Sequence, residues 1–248
     1  MGNIYQLGPF SKRSLGYVAL PDAGVGPGVL LLHAWWGLTA FFRAVCERLA
    51  DEGFVTLAPD LYHGATAKTS EEARQLRLGL DDEQASAEMQ AAVNCLQRHP
   101  GVTGTSVGVV GFSLGGYLAL RLARRVGSAV AAVVVFYANE GGRFDAAKAA
   151  FLGHFAAGDE CWAGPRAVHS LQERLWVAGC EAVFYVYPGT RHAFFEHDRP
   201  EAYDAQAADL AWQRTIDFLR GNLFTTSEGA VVVQRRARAC EWVAVGAG

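Results

Sequence analysis

The stretch that most limits what this chain can fold into is Ser106–Leu120. A short β-branched run, Val107-Gly108-Val109-Val110, breaks at Gly111-Phe112-Ser113-Leu114-Gly115-Gly116 and passes into a helical pattern over Tyr117–Val126. A strand that reverses sharply into a helix holds its turning residue in a strained conformation, so the positions two residues to either side must lack bulk. Gly111 and Gly115 meet that need around Ser113, and Gly116 lets the helix approach the sheet closely. Gly-x-Ser-x-Gly alone also describes an ordinary Gly/Ser loop. The strand before it and the helix after it make this one a nucleophile elbow, with Ser113 standing above the strand ends. The helix begins at Leu114, and its unpaired N–H groups and dipole favour negative charge there.

The rest of the chain supplies the sheet such an elbow needs. Gly16–Leu20 reads as an outer strand, Gly28–His33 as a continuous apolar strand of the kind buried on both faces, and Phe54–Ala58 as the next. Between the last two, Phe42, Val45, Cys46, Leu49 and Ala50 share one helical face, with Thr39 as N-cap and Gly53 as the stop. Helices are expected over Ser70–Leu80, which would line the site entrance, and Asp82–Arg98. After the elbow come a strand over Ala129–Tyr137, a short helix over Asp145–Ala150, a strand over Phe151–Ala157, and a helix over Pro165–Ala178. A last strand, Glu181–Tyr187, and a last helix, Glu201–Leu219, complete the series. This alternation predicts an α/β fold with a doubly wound, mostly parallel β-sheet flanked by helices. Residues 1–224 form a single domain on this reading, and residues 225–248 are a C-terminal extension of unknown role.

Composition narrows the partners. With 248 residues and 51% hydrophobic content the chain can bury a large core. A net charge of −3 with both signs dispersed offers no basic face for nucleic acid and no block of charge for a membrane surface. The expected partner is a small molecule, and the protein reads as a monomer or small homo-oligomer. Five cysteines, Cys46, Cys95, Cys161, Cys180 and Cys240, fall without C-x-x-C or Cys/His pairing. That suits reduced thiols in the cytoplasm: Cys46, Cys95 and Cys180 as small core residues, Cys161 as the exposed one. The N-terminus has neither the basic start nor the apolar core of a signal peptide.

In an open parallel sheet the ligand crevice lies beyond the carboxyl ends of the strands. Trp35, Ser113, Asp159 and His192 each follow such an end, and the last three occur in the order serine, acid, histidine found in hydrolases with this elbow. His192 is placed to take the proton of Ser113 and return it to a leaving group, and Asp159 to fix the imidazole tautomer. The backbone N–H groups of Trp35 and Leu114 would form the oxyanion hole. His197 is the rival base and Glu160 the fallback acid. His33, closing a strand, would orient the Trp35 loop, while His154, His99 and His169 read as structural. Trp36, Tyr62, Tyr137, Trp162 and Phe194 are candidate substrate-binding residues; aromatics are more often core, and their clustering after strand ends is what suggests a pocket.

These residues together resemble the dienelactone hydrolase family of small α/β-hydrolases over roughly Ser14–Phe224. The resemblance rests on Leu30-Leu31-Leu32-His33-Ala34-Trp35-Trp36-Gly37-Leu38, Ala58-Pro59-Asp60-Leu61-Tyr62, the Ser113 elbow, Phe155-Ala156-Ala157-Gly158-Asp159 and Tyr187-Pro188-Gly189-Thr190-Arg191-His192-Ala193-Phe194. It implies an α/β-hydrolase fold with no large cap domain, a cytosolic location, and an ester or lactone substrate handled with no metal or other cofactor. The family's named members carry cysteine where this chain has Ser113, and glutamate where it has Ala34. They also place an arginine for a substrate carboxylate where it has Glu196. A serine needs only a base for activation, whereas a resting thiolate must have its charge managed, so the first two changes belong together. The third points to a neutral ester or lactone, unless Arg74, Arg77 or Arg191 holds an anion instead. Acyl transfer to an alcohol would use the same three residues, and a non-catalytic binding protein on a hydrolase shell is the rival of a different class.

Overall fold

A computed structural model describes residues 3–6, 15–160 and 162–224. Eight strands form one sheet: β1 (Asn3–Gln6), β2 (Leu15–Ala19), β3 (Gly26–Leu32), β4 (Val55–Pro59), β5 (Val102–Phe112), β6 (Val130–Phe136), β7 (Ala150–Ala156) and β8 (Ala182–Tyr187). They are ordered β1-β2-β4-β3-β5-β6-β7-β8. The first two pairings are antiparallel and the rest parallel. From β3 the chain steps outward to β4, returns to β5 on the other side of β3, and then proceeds to β8. The reversal of direction therefore falls between β3 and β5, where a crevice opens at the strand ends.

The helices are α1 (Ala40–Asp51), α2 (Ser70–Gly79), α3 (Asp82–Arg98), α4 (Leu114–Val126), α5 (Pro165–Val177) and α6 (Ala205–Leu223). Their burial follows from alternation along the strands. Leu30 and Leu32 of β3 face a core shared with α3, α4 and α5, whereas Val29 and Leu31 face one shared with α1 and α6. All seven residues of β3 are buried, as covering both faces of a parallel sheet requires. Of these helices, none among the described residues is long and apolar enough to cross a membrane.

Several boundaries differ from expectation for identifiable reasons. The expected helix over Asp145–Ala150 is absent: Asp145 and Ala146 form a turn and Ala150 already belongs to β7. The segment instead buries Phe144 edge-on against Phe151, with ring centroids 5.8 Å apart, and six residues are too few for a helix to repay its nucleation. The final helix begins at Ala205 rather than Glu201, because the Asp204 side chain accepts from the Ala207 N–H and sets the cap there. Thr39 does occupy the N-cap position of α1, but its hydroxyl makes no capping bond. α2 is closed by a full capping box between Thr69 and Glu72. β1, four residues paired to β2 through backbone bonds, carries no periodic signature in the sequence. Cys95 is exposed on α3 rather than core, whereas Cys46 and Cys180 are buried. Cys161 and the extension 225–248 lie outside the described residues.

Candidate active site

The site starts with the backbone of Ser113. It sits at φ 52°, ψ −112°, between the end of β5 and the first residue of α4. Its N–H donates to the Phe136 carbonyl at 3.0 Å, and its own carbonyl accepts from the Tyr117 N–H at 3.0 Å. The flanking glycines are required sterically: a Cβ on Gly111 would strike the carbonyl of Gly115, and one on Gly115 would strike the carbonyl of Leu32. Held this way, Ser113 Oγ lies 2.8 Å from His192 Nε2, and His192 Nδ1 lies 2.6 Å from Asp159 Oδ2. Residues 33, 46 and 79 positions apart in sequence are thus brought to one hydrogen-bonded line.

The two loops carrying the acid and the histidine are tied to each other. The Ala157 N–H donates to the Tyr187 carbonyl and the Gly158 N–H to the Thr190 carbonyl, both at 3.0 Å, so Asp159 and His192 cannot drift apart independently. Burial alone would raise the Asp159 carboxyl. The hydrogen bond and charge of His192 and the N–H groups of Trp162 and Ala163 outweigh burial and hold it below the usual carboxylate range. It therefore remains an acceptor for His192 Nδ1–H, leaving Nε2 as the acceptor facing the serine hydroxyl.

Two cavities meet at Ser113 and His192, and Trp35 and Trp162 border both. The larger, about 690 Å³, continues along residues 189–193 to Trp36, Glu196 and Arg199. The smaller, about 390 Å³, is walled by Leu114, Tyr117, Tyr137, Ala138, Asn139 and Arg77. Leu114, as the first residue of α4, presents a helix-terminal N–H at this junction. Trp162 is 65% exposed at the mouth, its ring centroid 6.4 Å from those of both Trp35 and His192.

Of the expected aromatic contacts, Trp36, Tyr137 and Trp162 border the cavities and two residues do not. Tyr62 is buried against His33, with ring centroids 5.3 Å apart, and faces a separate cleft beside α2 and α3. Phe194 is fully buried between Tyr137 and Tyr187 and belongs to the core beneath the site. His197 packs on Phe41 at 4.9 Å and Tyr203 at 6.3 Å. His33 is fully buried; its Nδ1–H donates to the Ala34 carbonyl at 2.7 Å and its Nε2 accepts from the Leu61 N–H at 3.3 Å. Burial lowers its pKa and keeps it neutral, so it joins the Trp35 loop to the turn after β4. The sequence reading missed the walls formed by Tyr117 and Asn139 and the environment of Glu196. Glu196 accepts from the Tyr137 hydroxyl at 2.7 Å and is buried, while the Tyr137 ring lies 4.8 Å from that of His192.

A doubly wound sheet with a strained serine after its central strand, and an acid and a histidine on the loops after two later strands, defines an α/β-hydrolase. Within that class the chain belongs to the dienelactone hydrolase family, whose model matches residues 15–223. It is 31% identical over 229 residues to Protein usf of Aquifex pyrophilus, covering 89% of this chain and 98% of that one. It is 28% identical over 215 residues to a carboxymethylenebutenolidase of Pseudomonas putida, covering 82% and 89%. In fold it is similar to a dienelactone hydrolase-like promiscuous phosphotriesterase from metagenomic libraries, with TM-score 0.75, 22% identity and coverage of 85% and 93%. A thermophilic esterase of Thermogutta terrifontis matches with TM-score 0.69, 16% identity and coverage of 92% and 95%.

Proposed function

We propose that this protein is a cytoplasmic serine hydrolase of small carboxylic esters or lactones, acting through an acyl-enzyme. The observation that carries the reading is the continuous Ser113–His192–Asp159 hydrogen-bond chain opening onto a cavity. Ser113 Oγ attacks the substrate carbonyl as His192 Nε2 takes its proton. The oxyanion is met by the N–H groups of Trp35 and Leu114, and the imidazolium then protonates the leaving alkoxide. Water activated by the same nitrogen releases the acid. Asp159 acts on the tautomer and charge of His192 and stays ionised. Hydrolysis of the lactone class is supported by the name of the Pseudomonas putida relative.

The test is hydrolysis of a short-chain chromogenic ester and of a small lactone by the wild type and Ser113→Ala, purified in parallel. The variant is expected to lose on the order of a thousandfold or more in turnover. The wild type should show a burst with an acyl adduct on Ser113 by mass spectrometry. A Ser113→Ala protein that keeps most of the activity overturns the assignment.

A further inference from the structure

Tyr137 occupies a position that its side-chain type resists. It follows β6 at φ 41°, in the left-handed region, where a bulky aromatic is disfavoured and glycine is not. Its N–H is committed to the His154 carbonyl at 2.7 Å, which holds the strained backbone in place. Such strain persists only where the surroundings impose it, and it clusters at functional sites. The contacts of the side chain show what is gained. Tyr137 is fully buried, its ring packs against the His192 imidazole at a centroid distance of 4.8 Å, and its hydroxyl donates to Glu196 Oε1 at 2.7 Å.

Glu196 belongs to the same loop as the base. This loop turns tightly: the Phe194 N–H donates to the Arg191 carbonyl at 3.1 Å and the Glu196 N–H to the Ala193 carbonyl at 2.9 Å, and Ala193 itself lies at φ 68°. The Tyr137–Glu196 bond therefore latches the histidine loop to the segment after β6, and the ring that makes the latch is one that touches the imidazole. His192 needs such a support. Its bond from Nδ1 to Asp159 is a single contact about which the ring can swing, and Nε2 is the atom that would leave Ser113. Trp162 also approaches the imidazole, but at 6.4 Å and 65% exposed, so the buried Tyr137 is the firmer neighbour.

Resting on the serine-hydrolase reading above, we propose that Tyr137 is a positioning residue for the base: anchored through its hydroxyl to Glu196, its ring holds the His192 imidazole with Nε2 directed at Ser113.

The experiment measures ester hydrolysis together with inactivation by methanesulfonyl fluoride. That reagent sulfonylates Ser113 with loss of fluoride, needs His192 to take the serine proton, and is small enough to react without support from the cavity walls. Both are followed for the wild type, Tyr137→Phe, Tyr137→Leu, Glu196→Leu and Glu196→Gln, each well below its melting transition. Tyr137→Phe and Glu196→Leu remove the same bond, so each should lower kcat by about tenfold with KM little changed. Combined, they should cost the same factor rather than its square. Glu196→Gln, whose amide oxygen still accepts from the hydroxyl, should recover most of what Glu196→Leu loses. Tyr137→Leu, which removes the ring as well, should lose about a hundredfold. Sulfonylation should slow in parallel with kcat throughout. A folded Tyr137→Phe protein with wild-type kcat overturns the proposal. So does a loss confined to KM with sulfonylation unchanged, which would make Tyr137 a substrate contact instead. A wild type that neither hydrolyses the ester nor takes up the sulfonyl group overturns the hydrolase reading itself.

Discussion

Glu196 has its own folded-state chemistry independent of any ligand. Burial pushes its carboxyl up to about 8; the charges of Asp198 and Glu201 add to that, and the Tyr137 bond and Arg199 only partly offset it. The reference carboxyl titrates at 4.5, so between that pH and about 8 the unfolded chain releases a proton that the folded protein keeps. The stability linked to this carboxyl is therefore fully present below pH about 4.5 and is lost as pH rises through about 8. Glu196→Gln removes the titration while keeping an acceptor for the Tyr137 hydroxyl. Its melting temperature relative to wild type should rise by several degrees between pH 5 and pH 8.5 and then level off. A difference that does not change with pH would mean that the carboxyl ionises as an ordinary surface glutamate does.

At the scale of elements, the site depends on how closely α4 can approach β3. A Cβ on Gly115 would strike the carbonyl of Leu32 and come within 2.6 Å of that of His33, both rigid backbone. Gly115→Ala gains about 1 kcal/mol of helix propensity, but the collision must displace the start of α4 and with it Ser113. The expected outcome is a lower denaturation midpoint together with loss of most turnover in the folded fraction. Gly79→Ala at the end of α2, where no atom lies within 4 Å of the new methyl, should be neutral or slightly stabilising. The same close packing explains what could be read in advance. Gly111, Gly115 and Gly116 announce the elbow because only glycine fits there, and Asp159 and His192 follow strands whose apolar runs mark their ends. Tyr62 and Phe194 follow strand ends too, yet whether an aromatic lines a cavity or fills the core depends on neighbours distant in sequence, and no local pattern carries that. Glu196 was legible as a departure from the family pattern. Its burial was not, since it depends on packing with residues distant in sequence, among them Tyr137, whose hydroxyl donates to it.

Across the whole molecule, the strands that present the acid and the histidine are fastened to the last helix by one directional chain of hydrogen bonds. The Thr215 hydroxyl donates to the Ala211 carbonyl at 2.8 Å, so at 3.1 Å it must accept from His154 Nε2–H. His154 Nδ1, left as the acceptor, receives the Tyr187 hydroxyl at 2.8 Å, and the Tyr187 oxygen in turn accepts from Arg214 at 3.2 Å. β7, β8 and α6 are thus joined through a fully buried imidazole whose two nitrogens have fixed, opposite roles, possible only in the neutral form. Burial, reinforced by the charge of Arg214, lowers its pKa from 6.5 to about 3. Here the unfolded chain binds the extra proton: the contribution is whole above pH about 6.5 and falls by about 1.4 kcal/mol for each pH unit below it, until the folded imidazole also protonates near 3. His154→Gln, which cannot reproduce both bonds at the imidazole's spacing, should be less stable than wild type at pH 7.5 in urea unfolding. The gap should narrow by about 2 kcal/mol on acidification to pH 5, because only the wild type carries this titration. A gap of constant size from pH 7.5 to 5 would show that His154 is not the group through which acid loosens the two strands from α6.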